Sequence, residues 1–371
     1  MQYPLFRKED GISMKTKRIL CTLLAAATLI MPILSGCKHV EKKELFKVES
    51  TTSEEGVSDT ETSQTESSSV SENAITPSMW KAEDKKGNYA YLFGSIHAGD
   101  SAVDNMPDYF EKAYAESDTL AFEIDMSNMY DNISASSSVL TDIIYSDGTT
   151  IKDHLSEKTY NKMVEILKEN SIYNPLYEYY KPVMWESLIE NLAIFKAGLN
   201  SAKGVDMVLT NRGKADGKTI EEVESMDFQL NLFNGLSDNV VEVMMSPYAK
   251  DGIVEEHAKQ IKDLYEKWKT GTIEVKDVLE EDGIDETQLT EEEKALLEEY
   301  NTALLTERNK GMTEKLVDYI KSGKTVMLVV GTAHFLGNDG IVSLLEKQGF
   351  TVTKITSADQ LDTAKETQKA A

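Results

Sequence analysis

Two stretches of this chain repeat one plan, and the repetition limits what the chain can fold into. Between Lys321 and Val352 an apolar run, Thr325 to Val330, reads as a strand. A tight turn carrying Gly331 and His334 follows it, then a helix and a second strand. Between Asn88 and Asp100 the strand Tyr89 to Phe93 runs into Gly94 and His97 in the same way. Each strand ends in G-x-x-H, and each unit continues through a helix to another strand. Two of the five histidines therefore occupy one kind of place. A strand–helix–strand unit in a parallel sheet carries a right-handed crossover. The expectation is an α/β domain with a mainly parallel central sheet flanked by helices.

The N-terminal segment reads as an address rather than as part of that domain. Lys15, Lys17 and Arg18 precede the apolar run Ile19 to Leu34, which is short for a spanning helix and contains Pro32. The run ends in Leu34-Ser35-Gly36-Cys37, which resembles a bacterial lipobox. Residues 1–36 are thus expected to be a lipoprotein signal peptide, with Met14 a candidate start. Cys37 is expected to carry lipid, holding the chain on the extracytoplasmic face of a bacterial cell membrane without a spanning helix. Cys21 would leave with the leader, so the mature chain has no thiol for a disulfide, a zinc–thiolate site or a nucleophile.

Residues 37–78 read as a stalk. From Glu49 to Ser78 the chain is mostly Ser, Thr and Glu, with no Lys or Arg between Val48 and Trp80. Such a segment cannot bury enough apolar surface to fold, and its like charges keep it extended. The domain is expected over 79–358 and a polar tail over 359–371. The formal charge of -25 argues against nucleic acid as a partner.

Within the domain, Met79 to Ala82 and Tyr89 to Phe93 flank a polar turn and read as a hairpin. Pro107 to Glu116 reads as a helix and Thr119 to Ile124 as a strand passing through Glu123. A helical stretch from Ile151 is capped at Ser156, is broken at Pro175 and Pro182, and includes an apolar core helix, Val183 to Phe195. Val205 to Lys214 is helical, and the strand Thr219 to Val223 ends at Glu224. Met226 to Tyr319 forms a large helical insertion. In it, Thr290 and Glu293 make a capping box that opens one long helix. Leu297, Tyr300, Leu304, Met312, Leu316 and Tyr319 run along that helix, and Arg308 lies near the stripe.

In an open α/β sheet the loops beyond the carboxyl ends of the strands line the binding crevice. His97, Glu123, Glu224 and His334 all fall there. Two imidazoles and one or two carboxylates form an N/O donor set suited to zinc, manganese, iron or cobalt, with room for an activated water. The glycine of each motif is expected to permit a tight turn. A lone strand-end histidine is more often a satisfied structural residue; the pairing of two on matched units singles these out. His154 and His257, in acid-rich helices, read as surface residues.

These residues in this order resemble the TraB/GumN family, which includes the Tiki proteins. Gly94-Ser95-Ile96-His97 and Gly331-Thr332-Ala333-His334 match its two G-x-x-H motifs, with Ser95 in place of the usual threonine. Glu123 matches the acidic residue after the second strand. Val223-Glu224-Ser225 with Gln229 loosely matches a leucine-glutamate-threonine stretch, and Arg308-Asn309 with Met312 matches an arginine-asparagine pair. The resemblance covers about Met79 to Val352. It implies a fold similar to the erythromycin-esterase and ChaN-like domains, and metal-dependent hydrolysis of the kind Tiki metalloproteases perform. On that reading His97, Glu123 and His334 hold manganese, cobalt or zinc. Glu224 is a general base or a further ligand, and Arg308 steadies an oxyanion or a substrate carboxylate. The substrate is a peptide or protein of the envelope or the cell exterior. The alternative is a lipoprotein that captures a peptide or haem-like ligand without turnover.

Overall fold

The computed structural model describes residues 17–19, 74–125, 142–234, 236–281 and 289–361. Most of the segment expected to be a signal peptide, Cys37, the expected stalk up to residue 73 and the tail beyond 361 lie outside the described residues. A six-stranded sheet forms the centre. Its strands are β1 (Met79–Glu83), β2 (Tyr89–Ser95), β3 (Thr119–Phe122), β4 (Thr219–Glu222), β5 (Val326–Gly331) and β6 (Thr351–Ile355). Their spatial order is β4-β3-β5-β2-β1-β6. The pairs β4–β3, β3–β5 and β5–β2 are parallel, while β1 runs antiparallel to both β2 and β6. A separate antiparallel ribbon pairs Lys17–Ile19 with Leu279–Glu281.

The expected hairpin is present as β1–β2. The two strands that carry G-x-x-H are immediate neighbours, with Ser95 opposite Gly331. The chain therefore returns after more than two hundred residues to lay β5 against β2, and both histidines leave the same edge of the sheet.

Alternating side chains of the strands feed two cores, as the period of two requires. Met327 and Val329 face one side, with Tyr91, Phe93, Leu120 and Phe122. Val326, Leu328 and Val330 face the other, with Ala90, Leu92 and Ala121. Both faces are covered, which is why β5 is buried at every residue and reads as an unbroken apolar run.

The helices are α1 (Asp108–Glu116), α2 (Glu157–Glu169), α3 (Pro182–Lys196), α4 (Val205–Ala215), α5 (Met226–Asn234), α6 (Asp238–Met245), α7 (Ile253–Lys269), α8 (Glu291–Thr302), α9 (Arg308–Ser322) and α10 (Ile341–Lys347). Shorter single turns join them. The smaller core is closed by Met312, Leu316 and Ile320 of α9 and by Ile341 and Leu345 of α10. The larger core takes α3, α7 and most of the remaining helices. No helix among the described residues is long and apolar enough to cross a membrane.

Several local expectations are met. Ser156 caps α2 by accepting from the Thr159 N–H. The Thr290–Glu293 box closes reciprocally, at 2.9 and 3.2 Å. Others are corrected. The strand toward Glu123 ends at Phe122; the Glu224 N–H still donates to the Glu123 carbonyl at 2.9 Å, and the Asp125 N–H then goes to the Glu222 carboxylate. Phe195, read as core, is 78% exposed at the last turn of α3. His154, read as a surface residue, is hydrogen-bonded to Thr149 and Asp238 and stacked flat on Tyr145; His257 is half-buried against the Tyr248 ring. Residues 75–78, placed above in the stalk, belong to the domain: Ile75 is buried, the Thr76 N–H donates to the Lys269 carbonyl, and the Pro77 carbonyl accepts from the Tyr109 hydroxyl.

The long helix through Arg308 is interrupted. Between α8 and α9 the residues Ala303–Glu307 form a π turn. That wide turn contains the buried Leu304 and lies directly before the buried Arg308, Asn309 and Met312. Such bulges recur at functional sites because they re-aim the residues that follow. Here those residues are Arg308 and Asn309.

The motif glycines also act differently from expectation. Neither adopts a left-handed backbone conformation, so neither is needed to turn the chain. Gly94 lies inside β2, and a Cβ there would sit 2.6 Å from Thr332 Oγ1 and 3.3 Å from Thr332 Cα. Its absence lets Thr332 cross over the strand end, where its hydroxyl donates to the Ser95 carbonyl at 3.0 Å. The first glycine thus permits the two motifs to touch. Gly94→Ala is expected to lower stability in chemical denaturation by about 1–3 kcal/mol, the usual cost of overpacking, whereas Gly311→Ala, at a position with open space, leaves it unchanged or raised.

Candidate functional site

Four parallel strands end side by side, and each delivers one residue to the same sheet edge: Glu224 beyond β4, Glu123 beyond β3, His334 beyond β5 and His97 beyond β2. Arg308 comes from the start of α9, directly after the π turn. The five residues expected to form the site are therefore brought together.

Arg308 stands at the centre, 1% exposed. Its Nη2 donates to Oε2 of both Glu123 and Glu224, and its Nε donates to Glu224 Oε1 and Oε2 at 2.9 and 3.0 Å. Gln229, on α5, donates its amide to the same two carboxylates at 3.2 and 2.9 Å. The backbone N–H of Gly331 donates to Glu123 Oε1 at 2.9 Å, which is the second motif's own contribution to the clasp. Burial alone would raise the Glu123 pKa; the Arg308 charge, with smaller help from His334, His97 and the Gly331 N–H, instead pulls it down to about 2. Arg308 stays charged because its two carboxylates outweigh its burial.

Each histidine is oriented from behind. The Gly204-Val205-Asp206 start of α4 docks on the loop that carries His97, with the Val205 N–H donating to the Ile96 carbonyl at 2.9 Å. Gly204 fits against the His97 carbonyl, where no Cβ could. This docking places Asp206 Oδ2 2.8 Å from His97 Nδ1. Asn309 does the corresponding work for His334, with its Oδ1 2.7 Å from Nδ1. The Asn309 amide nitrogen donates to the Asp339 carbonyl at 2.9 Å, so its oxygen must face the ring and Nδ1 must carry the hydrogen.

The two rings differ in charge tendency. Burial, reinforced by the Arg308 charge, lowers the His334 pKa to about 3, so its 3.6 Å approach to Glu123 is a contact with a neutral ring and not an ion pair. For His97, burial works downward but is outweighed by the charge and hydrogen bond of Asp206, and the pKa rises.

With both Nδ1 atoms held, both Nε2 atoms are buried and have no hydrogen-bond partner. An imidazole anchored through Nδ1 to a carboxylate or amide, with a bare Nε2, is the form in which histidine ligates metals. Two carboxylates, Glu123 and Glu224, share a single guanidinium, and a third, Asp206, stands behind His97, so the cluster also suits added positive charge. The donor set thus fits a divalent cation. Among the described residues, however, no three His, Cys, Asp or Glu side chains already stand as a metal-binding group. Glu123 is turned to Arg308 and Gly331, and ligation by His97, His334 and Glu123 together requires that contact to open.

The sequence profile of the TraB/PrgY/gumN family matches residues 78–354, which span the sheet but for its last residue, Ile355, and include every residue of this cluster. The chain belongs to the TraB/PrgY/gumN family. Comparison with curated proteins and with solved structures returns no match. The matched region thus contains both G-x-x-H segments and the strand ends beside them. Asp206 was missed in the sequence, where it reads as an ordinary acidic residue in the first turn of a helix; nothing in the sequence signals that α4 docks on the His97 loop. The positioning roles of Asn309 and Gln229 were likewise invisible, although both stand in the stretches that carry the family resemblance.

Removing one partner of a buried ion cluster leaves the others unpaired. Arg308→Ala is expected to cost about 3–5 kcal/mol of stability, and adding Glu123→Gln and Glu224→Gln to it is expected to restore part of the loss in chemical denaturation. The depressed Glu123 pKa fixes the sign of a pH effect. Its stabilisation is fully present above the ordinary value of 4.5 and is lost as pH falls toward about 2. The stability of Glu123→Gln is accordingly expected to fall less steeply than that of the wild type between those limits.

Proposed function

We propose that this chain is a membrane-anchored, extracytoplasmic, metal-dependent hydrolase acting on a peptide or protein. The observation that carries the reading is the pair of buried Nε2 atoms, His97 and His334, each bare and each on a ring held through Nδ1. Manganese, cobalt or zinc would be held by these two imidazoles with Glu123. Such an ion, when bound, supplies Lewis acidity toward a scissile carbonyl and acidifies water. Asp206 and Asn309 keep the two rings in the ligating orientation. Glu224, at the crevice edge, accepts the proton of the attacking water and passes it to the leaving amine. Arg308 offsets the negative charge that develops on the carbonyl oxygen. The lipid anchor at Cys37 rests on the lipobox-like Leu34-Ser35-Gly36-Cys37 and the charged, apolar segment before it.

A second reading is favoured by one feature. Arg308 spends its Nε and Nη2 on the two carboxylates, which leaves neither of them free as a base. A crevice of that kind could capture a peptide or haem-like ligand without turnover. Elemental analysis and peptide hydrolysis separate the two. Purified wild-type protein is expected to retain manganese, cobalt or zinc and to cleave peptides, with both properties lost in His97→Ala and His334→Ala. Metal content unchanged in both variants would remove the assignment. Peptide retained without cleavage in excess of all three metals would favour capture.

A further inference from the structure

A second concave site lies in the helical part of the molecule and shares no lining residue with the strand-end cluster. It is a pocket of about 260 Å³ between the start of α3, the single turn Ile151–His154 and α6. That exceeds the ~150 Å³ that takes a benzene ring, and leaves room for roughly ten non-hydrogen atoms. Leu236, Val241, Met244 and Met245 line it, and the two methionines are buried. Methionine surfaces adapt to varied apolar shapes. One wall is the flat pair of Tyr145 and His154, with ring centroids 4.3 Å apart and planes 2° from parallel.

The polar groups of the pocket are not equivalent. Asp147 accepts from the N–H and hydroxyl of Thr149, at 2.9 and 2.6 Å. Asp238 accepts from His154 Nδ1 at 2.8 Å, and Glu186 from the Tyr248 hydroxyl at 3.1 Å. Both His154 nitrogens are engaged, the second with Thr149. Each carboxylate thus has a donor within the protein. Lys181 stands apart. Its ammonium has three N–H groups, and among the described residues its one hydrogen bond goes to Asn234 Oδ1 at 3.0 Å. Burial lowers its pKa, against the opposing pull of Asp142 and Asp147. A half-buried ammonium with donors left over, above an apolar floor, is complementary to one anionic group carrying an apolar tail.

We propose that this pocket binds a small amphipathic monocarboxylate, its carboxylate paired with Lys181 and its tail on the methionine floor. Asp147, Glu186 and Asp238 also line the pocket, so Lys181 has to offset their repulsion of the one bound carboxylate. A second acidic group, with no further ammonium among the described lining residues to meet it, is excluded, which sets the class as monoacid. Helix α3 connects the two sites: Glu186 lines this pocket, while Glu190 and Ile194, one and two turns on, pack behind His97. A ligand here therefore bears on the helix that supports the His97 loop.

Calorimetric titration of the full chain tests the assignment, with octanoate and 3-phenylpropanoate as probes and octanamide as an uncharged analogue of equal size. Either acid binding identifies the class, and which of them binds more tightly distinguishes an aliphatic from an aryl tail. Octanamide is expected to bind roughly tenfold or more weakly than octanoate, and Lys181→Met to weaken the acids by a similar factor. Val241→Trp, which fills the pocket, is expected to abolish binding of the acids while circular dichroism shows the fold intact. The proposal is overturned if neither acid binds the wild type, if octanamide binds as tightly as octanoate, or if Lys181→Met leaves the acids' affinity unchanged.

Discussion

A guanidinium withdrawn from water costs several kcal/mol unless opposite charge and hydrogen bonds surround it. Arg308 meets that demand with two carboxylates from two different strand ends, Glu123 and Glu224. The clasp ties α9 to β3 and β4, and through Glu123 and the Gly331 N–H it reaches β5 as well. The polar edge of the sheet is held in register by charge, where the two faces are held by apolar packing. The same clasp sets the electrostatics of the cluster. Arg308 keeps Glu123 ionised and helps keep His334 neutral. A ring kept neutral, with its hydrogen on Nδ1, presents a lone pair at Nε2.

The supports of the two histidines come from different parts of the chain's long excursion between β2 and β5, one from its middle and one from near its end. Asp206 arrives on a helix that precedes β4, and Asn309 on the helix that precedes β5. The helical insertion is therefore part of the site, not a cover laid over it. Trp268 at the end of α7 reinforces this, since its indole N–H donates to the Gly94 carbonyl at 2.8 Å, beside the first motif. The π turn before Arg308 belongs to the same arrangement. It sets the phase of α9 so that Arg308 and Asn309 face the sheet edge while Met312 and Leu316 still reach the core.

Helix α3 gives the molecule a second axis. Its first turns line the pocket with Lys181, and its middle lies under the His97 loop. Because α3 is buried over most of its length, a displacement at one end is not absorbed by solvent-facing slack. The two sites are distinct in their residues and continuous in their packing.

The repeated strand–G-x-x-H units, the parallel sheet and the five residues of the cluster were legible in the amino-acid sequence. Apolar runs, strand ends and capping boxes are local patterns, and a residue at a strand's carboxyl end can be placed in a crevice without knowing its neighbours. The sequence by itself thus determined which side chains reach the sheet edge. Only the tertiary structure decided what they do there. The pairing of β2 with β5 put the histidines next to each other. The docking of α4 supplied Asp206, and the π turn aimed Arg308 between two carboxylates. Even the motif glycine has its meaning in space: Gly94 is required by the approach of Thr332, 238 residues further along the chain. Contacts of that separation depend on how helices and strands pack, and no local pattern in the chain encodes them.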